Sequence, residues 1–283
     1  MSAAIREYQG RFGRVALLDV DRPLVTHAHS QCHVLLKAGG ADTFFAVRGE
    51  LQPLTDDSAV MVNAWEPHAY VQPRPDAPRT VFLALYIEPA WLLSLEGGLR
   101  WAGQPGFFPE PSARISPAIR RRIDELASQM LFGEQPNETV LASTLCGLVL
   151  EIIGPICGSR PVLAPTGRAF ATYDRRIRQA VDHMRNNLGA PIDVERLARE
   201  ACLSRAHFFK LFQQCTSLTP HVYANVLRME SAVRELAQTD HSIALVSDTL
   251  GFSAQSHFTR FFQQHLGVMP SQYRRVVDVY PDA

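Results

Sequence analysis

The sequence predicts an α+β multidomain chain: an amino-terminal antiparallel β-barrel with trailing helices, then an all-α carboxyl-terminal domain with two helix-turn-helix units. Three observations predict it. Short extended runs follow one another from Phe12 to Ile87 with turn residues but no helical pattern between them. A helical unit with one apolar and one polar face occurs twice near the end of the chain. Between these regions, residues 154–173 (GPICGSRPVLAPTGRAFATY) are rich in Gly and Pro and lack periodicity. The division that follows is a barrel over 1–112, a helical packing and dimerisation segment over 113–153, a linker over 154–173, the helical domain over 174–276 and a tail over 277–283.

The extended runs are RVALLDV, CHVLLKA, DTFFAV, AVMVN and RTVFLALYI, separated by Asp21-Arg22-Pro23, Gly39-Gly40, Thr55-Asp56-Asp57 and Pro73 to Pro78. Many short strands with no helix between them suggest a barrel or sandwich. His27 and His29 are spaced to point to one side of an extended strand, with His33 close behind and His68 in the later EPHAY segment. Pro89-Ala90-Trp91 opens a short helix, and Gly97 to Pro111 reads as a loop. Ser116-Pro117 caps a helix with Ile119, Ile123, Leu126 and Met130 in register. In the next helix, Asn137 to Ile153, the apolar residues Val140, Leu141, Leu145, Leu148, Val149, Ile152 and Ile153 cover more than one narrow stripe, enough for the barrel and a second subunit, so a homodimer is expected. Asp174 caps a helix whose inner stripe is Ile177, Val181, Met184 and Leu188.

The duplicated unit carries the most information. In LSRAHFFKLFQQCTSLTPHVY, residues His207, Phe208, Phe212, Gln213, Gln214, Pro220 and Tyr223 recur as His257, Phe258, Phe262, Gln263, Gln264, Pro270 and Tyr273, an offset of fifty. Upstream of the turn the offset drops by one, matching Val194 with Ile243, Leu197 with Val246 and Leu203 with Phe252. In the second copy Ser242 to Leu250 reads as a short helix, Gly251-Phe252 as a tight turn, and Ser253 as the cap of a longer helix to Leu266. That helix places Phe258, Phe261 and Phe262 inward and Gln255, Ser256, Thr259, Arg260 and Gln263 outward, and these outer amides, hydroxyls and guanidinium suit base edges and phosphates. The outward set of the first copy is Arg205, Ala206, Phe209, Lys210 and Gln213, with Phe209 either extending the core or pressing on a thymine methyl. Thr219-Pro220 caps a connecting helix to about Ala237, and roughly eighteen residues at about 1.5 Å each give about 27 Å, compatible with successive major grooves about 34 Å apart.

The region from Asp174 to Arg275 resembles the DNA-binding part of AraC/XylS-type transcription regulators, on Arg228, Ile243, Gly251-Phe252, Phe258, Phe262, Gly267 and Pro270. The resemblance implies double-stranded DNA as partner, read by Arg205, Ala206, Phe209 and Lys210 in the first copy and Gln255, Ser256, Thr259 and Arg260 in the second. It also implies a cupin-like fold for the barrel, an activator working with RNA polymerase, and a small-molecule effector. The barrel mouth would hold that effector among His27, His29, His33, Trp65, His68 and Tyr86, although Trp65 and Tyr86 also fit as large core residues. The His-x-His pair and the later histidine are similar to the ligands of metal-binding cupins, but no carboxylate follows His29 at the usual short spacing. We therefore expect ligand-lining or structural histidines, with no metal and no cofactor. A cupin enzyme with His27, His29 and His68 as ligands, with or without His33, is the remote alternative; a barrel serving only dimerisation or protein interaction is the nearer one.

Composition fits this division. The net charge of the chain is zero, but residues 174–275 hold 13 Arg or Lys against 9 Asp or Glu, whereas residues 1–173 hold 15 against 17. The positive excess lies where DNA is expected. The five cysteines, Cys32, Cys146, Cys157, Cys202 and Cys215, have no paired spacing, which suits reduced thiols in the cytoplasm. No run reaches the roughly 20 apolar residues of a membrane span, and no nucleophile constellation, phosphate loop or paired-cysteine zinc site suggests an enzyme.

Overall fold

A computed structural model describes residues 3–72, 78–95, 99, 102–104, 106–157 and 174–280. Its first half is two facing sheets. β1 (Ala3–Gly10), β2 (Gly13–Val20), β3 (Cys32–Gly40), β6 (Ser58–Val62), β8 (Thr80–Ile87), β9 (Ser112–Arg114) and β10 (Val277–Val279) form one sheet in the order β10-β1-β2-β8-β3-β6-β9. β4 (Thr43–Val47), β5 (Glu50–Leu54) and β7 (His68–Val71) form the other, in the order β5-β4-β7.

The near-continuous apolar runs follow from burial on both faces. Leu18, Leu35, Phe82, Ala84 and Tyr86 point between the sheets with Phe45 and Tyr70. Their strand neighbours Leu17, Val34, Leu36, Leu83 and Leu85 point outward and are covered by α2 (Pro117–Phe132) and α3 (Glu138–Cys157) through Ile119, Ile123, Leu126, Leu145 and Val149. Ser116 caps α2 as expected, accepting from Ile119 N, and α1 (Pro89–Ser94) packs Trp91 and Leu92 into the same cluster.

The helical domain comprises α4 (Arg175–Asn186), α5 (Val194–Glu200), α6 (Arg205–Thr216), α7 (Pro220–Gln238), α8 (Ile243–Thr249), α9 (Gln255–Leu266) and α10 (Pro270–Val276). α5-turn-α6 and α8-turn-α9 are the two units, and their registers agree in detail. α6 and α9 are each 12 residues, each buries two phenylalanines (Phe208 and Phe212, Phe258 and Phe262), and each ends on a left-handed residue, Ser217 at φ 63° and Gly267 at φ 78°. The turns carry matching positive φ at Cys202 and Gly251. Gly251 is required a second time over, because a Cβ there would meet the Gly189 carbonyl oxygen at 2.0 Å.

Several expectations change. The tail is not a tail: Val277–Val279 pairs in parallel with Glu7–Gln9, and Tyr280 is buried on Tyr8 and Phe12. A Val-Asp-Val-Tyr alternation with a vacant sheet edge beside it is a strand. Residues 154–157, read as linker, continue α3, and the rest of that linker, 158–173, lies outside the described residues. β9 straddles the expected boundary at 112, and α2 and α3 share the barrel's outer core rather than forming a separate segment. The cap of α9 is Ala254, not Ser253, whose hydroxyl instead meets His257 Nδ1 at 2.9 Å. Ser253 is the extra residue of the longer turn. The breadth of the α3 stripe is taken up within the subunit: Leu141, Leu145, Leu148, Val149, Ile152 and Ile153 are buried and only Val140 of that set is exposed, so the stripe gives no argument for a second subunit. Among the described residues α3 alone is long and apolar enough to cross a membrane, and Leu141, Leu145, Leu148, Val149, Ile152 and Ile153 on it are core.

The two halves are joined by buried polar contacts. Glu7, only 2% exposed, accepts from Tyr273 Oη of α10 and from Arg14 Nη1 at 3.5 Å, while Gln9 Nε2 donates to Tyr273 Oη at 2.6 Å. Ser30 N donates to Glu230 of α7 (2.9 Å), Val25 N donates to the Gln264 carbonyl of α9 (3.1 Å), and Trp65 stacks on Tyr223 at 4.8 Å between centroids. Tyr273→Phe strips a partner from a buried carboxylate and is expected to cost about 1–3 kcal/mol in urea unfolding. Burial holds the Glu230 carboxyl above its usual range. A folded-state pKa above the unfolded one means that the linked stability is complete below the unfolded pKa and declines as pH rises through the folded one. Glu230→Gln keeps an acceptor for Ser30, so it should melt a few degrees above the parent near pH 8 and level with it near pH 4, in thermal melts across that window.

Candidate DNA interface and interdomain cavity

The first candidate site is the outer side of the duplicated units. In α6, Arg205, Ala206, Lys210 and Gln213 are exposed and Phe209 is half-buried; in α9, Gln255, Ser256 and Arg260 are exposed and Thr259 and Gln263 are half-buried. Phe209 packs at the edge of the core of the first unit, which favours the structural of its two roles. Phe261, expected wholly inside, is half-buried against Phe252 and His265. Among the described residues, Lys210 and Arg260 have no carboxylate within ion-pair distance. Arg205 faces Glu195 at 3.6 Å, both about two-thirds exposed, a pair that a phosphate can replace at little cost. Arg228, part of the family resemblance, is structural here: its guanidinium donates to the Leu188 and Ala190 carbonyls and clamps α7 to the loop before α5.

The second candidate site is a cavity of about 510 Å³ between the barrel and the helical domain. A register row built into the sheet makes its polar floor. Gln9 of β1 pairs with Arg14 of β2, Arg14 with Tyr86 of β8, and Tyr86 with His33 of β3. The Arg14 guanidinium lies 3.8 Å from the Tyr86 ring centroid, and His33 stacks on Tyr86 at 4.3 Å. Facing this floor, α7 and α9 contribute Val226, Met229, Glu230, Val233, His265 and Leu266. The walls thus mix apolar side chains such as Val226, Met229 and Val233 with polar and charged ones from both halves, the composition of a small-molecule site.

The six barrel residues singled out in the sequence divide by position. His27, His29 and Tyr86 line the cavity. His33 and His68 are buried behind them, with His33 Nδ1 at 3.4 Å from His68 Nε2. Trp65 is at the domain junction on Tyr223. Burial, reinforced by neighbouring imidazoles, holds His27, His29 and His33 well below the usual histidine range, and burial holds His68 at about 4. All four are therefore neutral imidazoles at neutral pH. Arg14, Glu88, Glu230 and His265 also line it and are not singled out by the sequence. No periodicity or motif marks them, because each acquires its role from the docking of the two halves.

With this geometry, the chain can be set beside known proteins. A family model described as a helix-turn-helix domain matches residues 197–276. An uncharacterized HTH-type transcriptional regulator of Haemophilus influenzae is 30% identical over 117 residues, 41% of this chain and 39% of that protein. The Msm operon regulatory protein of Streptococcus mutans is 24% identical over 189 residues, 62% of this chain and 67% of that protein. The match to the first of these relatives therefore spans about two fifths of its length. Among solved structures, an apo form of a ToxT variant from Vibrio cholerae superposes with a TM-score of 0.59 at 12% identity, over 96% of this chain and 100% of that one, a likeness of fold. The family-model match falls within the helical domain and spans most of both helix-turn-helix units.

Proposed function

We propose that the chain is a sequence-specific DNA-binding transcription regulator whose affinity for DNA responds to a small molecule in the interdomain cavity. The observation that carries the reading is the exposure of two registered helices, α6 and α9, with Lys210 and Arg260, unpaired among the described residues, at matching positions fifty residues apart. α7, 19 residues and so about 28 Å long, joins the two units at a spacing compatible with successive turns of a duplex. Arg260 and Lys210 suit guanine edges or phosphates, Gln255 an adenine edge or phosphate, and Ser256 and Thr259 smaller polar contacts. The response to an effector is supported by the cavity walls, which come from both halves, so that occupancy favours some placements of α9 over others. Activation through RNA polymerase follows from the family resemblance.

A second reading, in which the first half serves self-association, is favoured by one observation. At the α2–α3 hairpin Phe132 is 85% exposed, with Leu131 at 41% and Val140 at 58%.

Selection of bound DNA from a random pool supplies an operator for the tests. With that operator, Arg260→Ala should weaken binding by about 1–3 kcal/mol, roughly 5- to 150-fold, and relax specificity at one position if it reads a base, whereas loss of a phosphate contact lowers affinity for all sequences and flattens the salt dependence by about one unit. Binding as tight as the parent's would remove the assignment. If the hairpin is a self-association surface, Phe132→Glu shifts a dimer to monomer in sedimentation equilibrium; an unchanged mass for the variant removes the second reading.

A further inference from the structure

The cavity floor contains a group of side chains arranged for something other than an organic effector. A ring nitrogen from each of His27, His29 and His68 lies within 4.8 Å of the others. The rings crowd together at steep angles, with His27 and His68 centroids 4.4 Å apart and His29 and His68 centroids 4.8 Å apart. In all three the Nδ1 atom is at a backbone carbonyl: Val25 O at 2.8 Å for His27, Gln31 O at 3.3 Å for His29, Glu66 O at 3.0 Å for His68. A carbonyl only accepts, so Nδ1 carries the proton and Nε2 is left as a bare lone pair on each ring. His29 Nε2 is buried without a hydrogen-bond partner. A buried lone pair with nothing to accept from is costly unless something electron-poor sits beside it; His68 Nε2 has the long contact with His33 Nδ1 at 3.4 Å, and His27 is half-buried. Histidines that bind metal characteristically anchor the remote ring N–H on a carbonyl in this manner, which fixes the tautomer and aims the free nitrogen.

The helical domain adds a fourth imidazole. His265, in the last turn of α9, lies with its ring 6.3 Å from that of His27, and its Nδ1 is likewise held by a backbone carbonyl, Phe261 O at 2.7 Å. The equivalent residue of the first unit is Cys215, fifty positions earlier, so this histidine is not a requirement of the repeated fold.

We propose that His27, His29 and His68 form a site for one divalent transition metal ion of the zinc class, open on the side that His265 faces, so that metal occupancy ties the barrel to α9. The donor set is all neutral imidazole, which suits Zn²⁺, Cu²⁺ and Ni²⁺ and disfavours Mg²⁺ and Ca²⁺. Nitrogens bound tetrahedrally at about 2.0–2.1 Å are about 3.3 Å apart, so the three rings draw inward on binding. His68 gives up its long contact with His33 in doing so. The inference rests on the regulator reading for its consequence, since tying α9 matters only if α9 meets DNA. The site itself does not depend on that reading.

The test uses the full chain freed of metal with a chelator and dialysed, and Zn²⁺ as the probe. Calorimetric titration is expected to give one equivalent per chain, and Co²⁺ in place of Zn²⁺ to give visible d–d absorption of a low-coordinate nitrogen site. His29→Gln and, at the half-buried position, His27→Gln should each lower affinity at least tenfold while melting like the metal-free parent; the pair guards against one variant failing to fold. The surface variants His207→Ala and His241→Ala should bind as the parent does. Absence of a stoichiometric ion, or affinity unaltered in both glutamine variants, overturns the site. Zn²⁺ should also change operator affinity in the parent but not in His265→Gln, and a change that persists in His265→Gln overturns the tie to α9. Operator binding by the metal-free chain tests the regulator reading separately.

Discussion

A single buried carboxylate constrains how the two halves fit. Glu7 is on β1, almost wholly removed from water, and a polar group in such a place is costly unless it is hydrogen-bonded. The barrel supplies Gln9 Nε2 at 2.9 Å and Arg14 at 3.5 Å, and the helical domain adds the Tyr273 hydroxyl, a close donor to the same Oε1. Tyr273 is not spare for the purpose. It is the buried aromatic of α10, packed edge-on against Phe262 of α9, and so belongs to the core of the second helix-turn-helix unit. Undocking the halves would take one of its donors from the Glu7 carboxyl and leave the Tyr273 hydroxyl without its acceptor. Docking and the core of the second unit are therefore coupled through one side chain.

The same logic explains why a barrel end is polar. Strands whose outer faces are covered by α2 and α3 and whose inner faces fill the barrel have no solvent side on which to place hydrophilic residues. The register row Gln9, Arg14, Tyr86 and His33 is where that rule is broken, in four adjacent strands at one level. Polar groups concentrated there cannot be satisfied by the barrel alone, as the unpartnered nitrogens of His29 and His33 demonstrate. The cavity is the space that this row and the facing side of α7 leave between them.

How much of this is legible in the sequence depends on whether a feature is local. The duplicated units can be read almost to the residue, because helix periodicity, proline at the start of α7 and α10 and glycine at the turn are all local signals. The one-residue change of offset has a structural counterpart, since the turn between α8 and α9 is longer by Ser253. The strand of Val277–Val279 escapes notice because three residues carry no pattern, and its partner β1 does so because Glu7 and Gln9 look like solvent-facing residues until Tyr273 covers them. The barrel histidines stand out through their spacing on one extended segment, whereas His265 does not, as nothing at residue 265 points to residue 27.

The attachment of the two units to the barrel is unequal, and this has a physical consequence. The second unit is bound by Tyr273 on Glu7, by the Gln264 carbonyl on Val25, by β10 on β1 and by a hydrophobic cluster that runs unbroken from the barrel interior to Phe258 and Phe262. The first unit meets the barrel through the Trp65–Tyr223 stack and Ala28. A change in the cavity that moves α7 or α9 therefore acts on the second unit through several stiff contacts and reaches the first mainly along α7 itself. Two units rigidly joined to the barrel could only move together; two joined unequally can alter their relative placement, and relative placement is what the spacing of two major-groove windows selects. On the proposed reading, the asymmetry of the docking, more than the symmetry of the repeat, is what would let a small occupant of the cavity change how the pair meets a duplex.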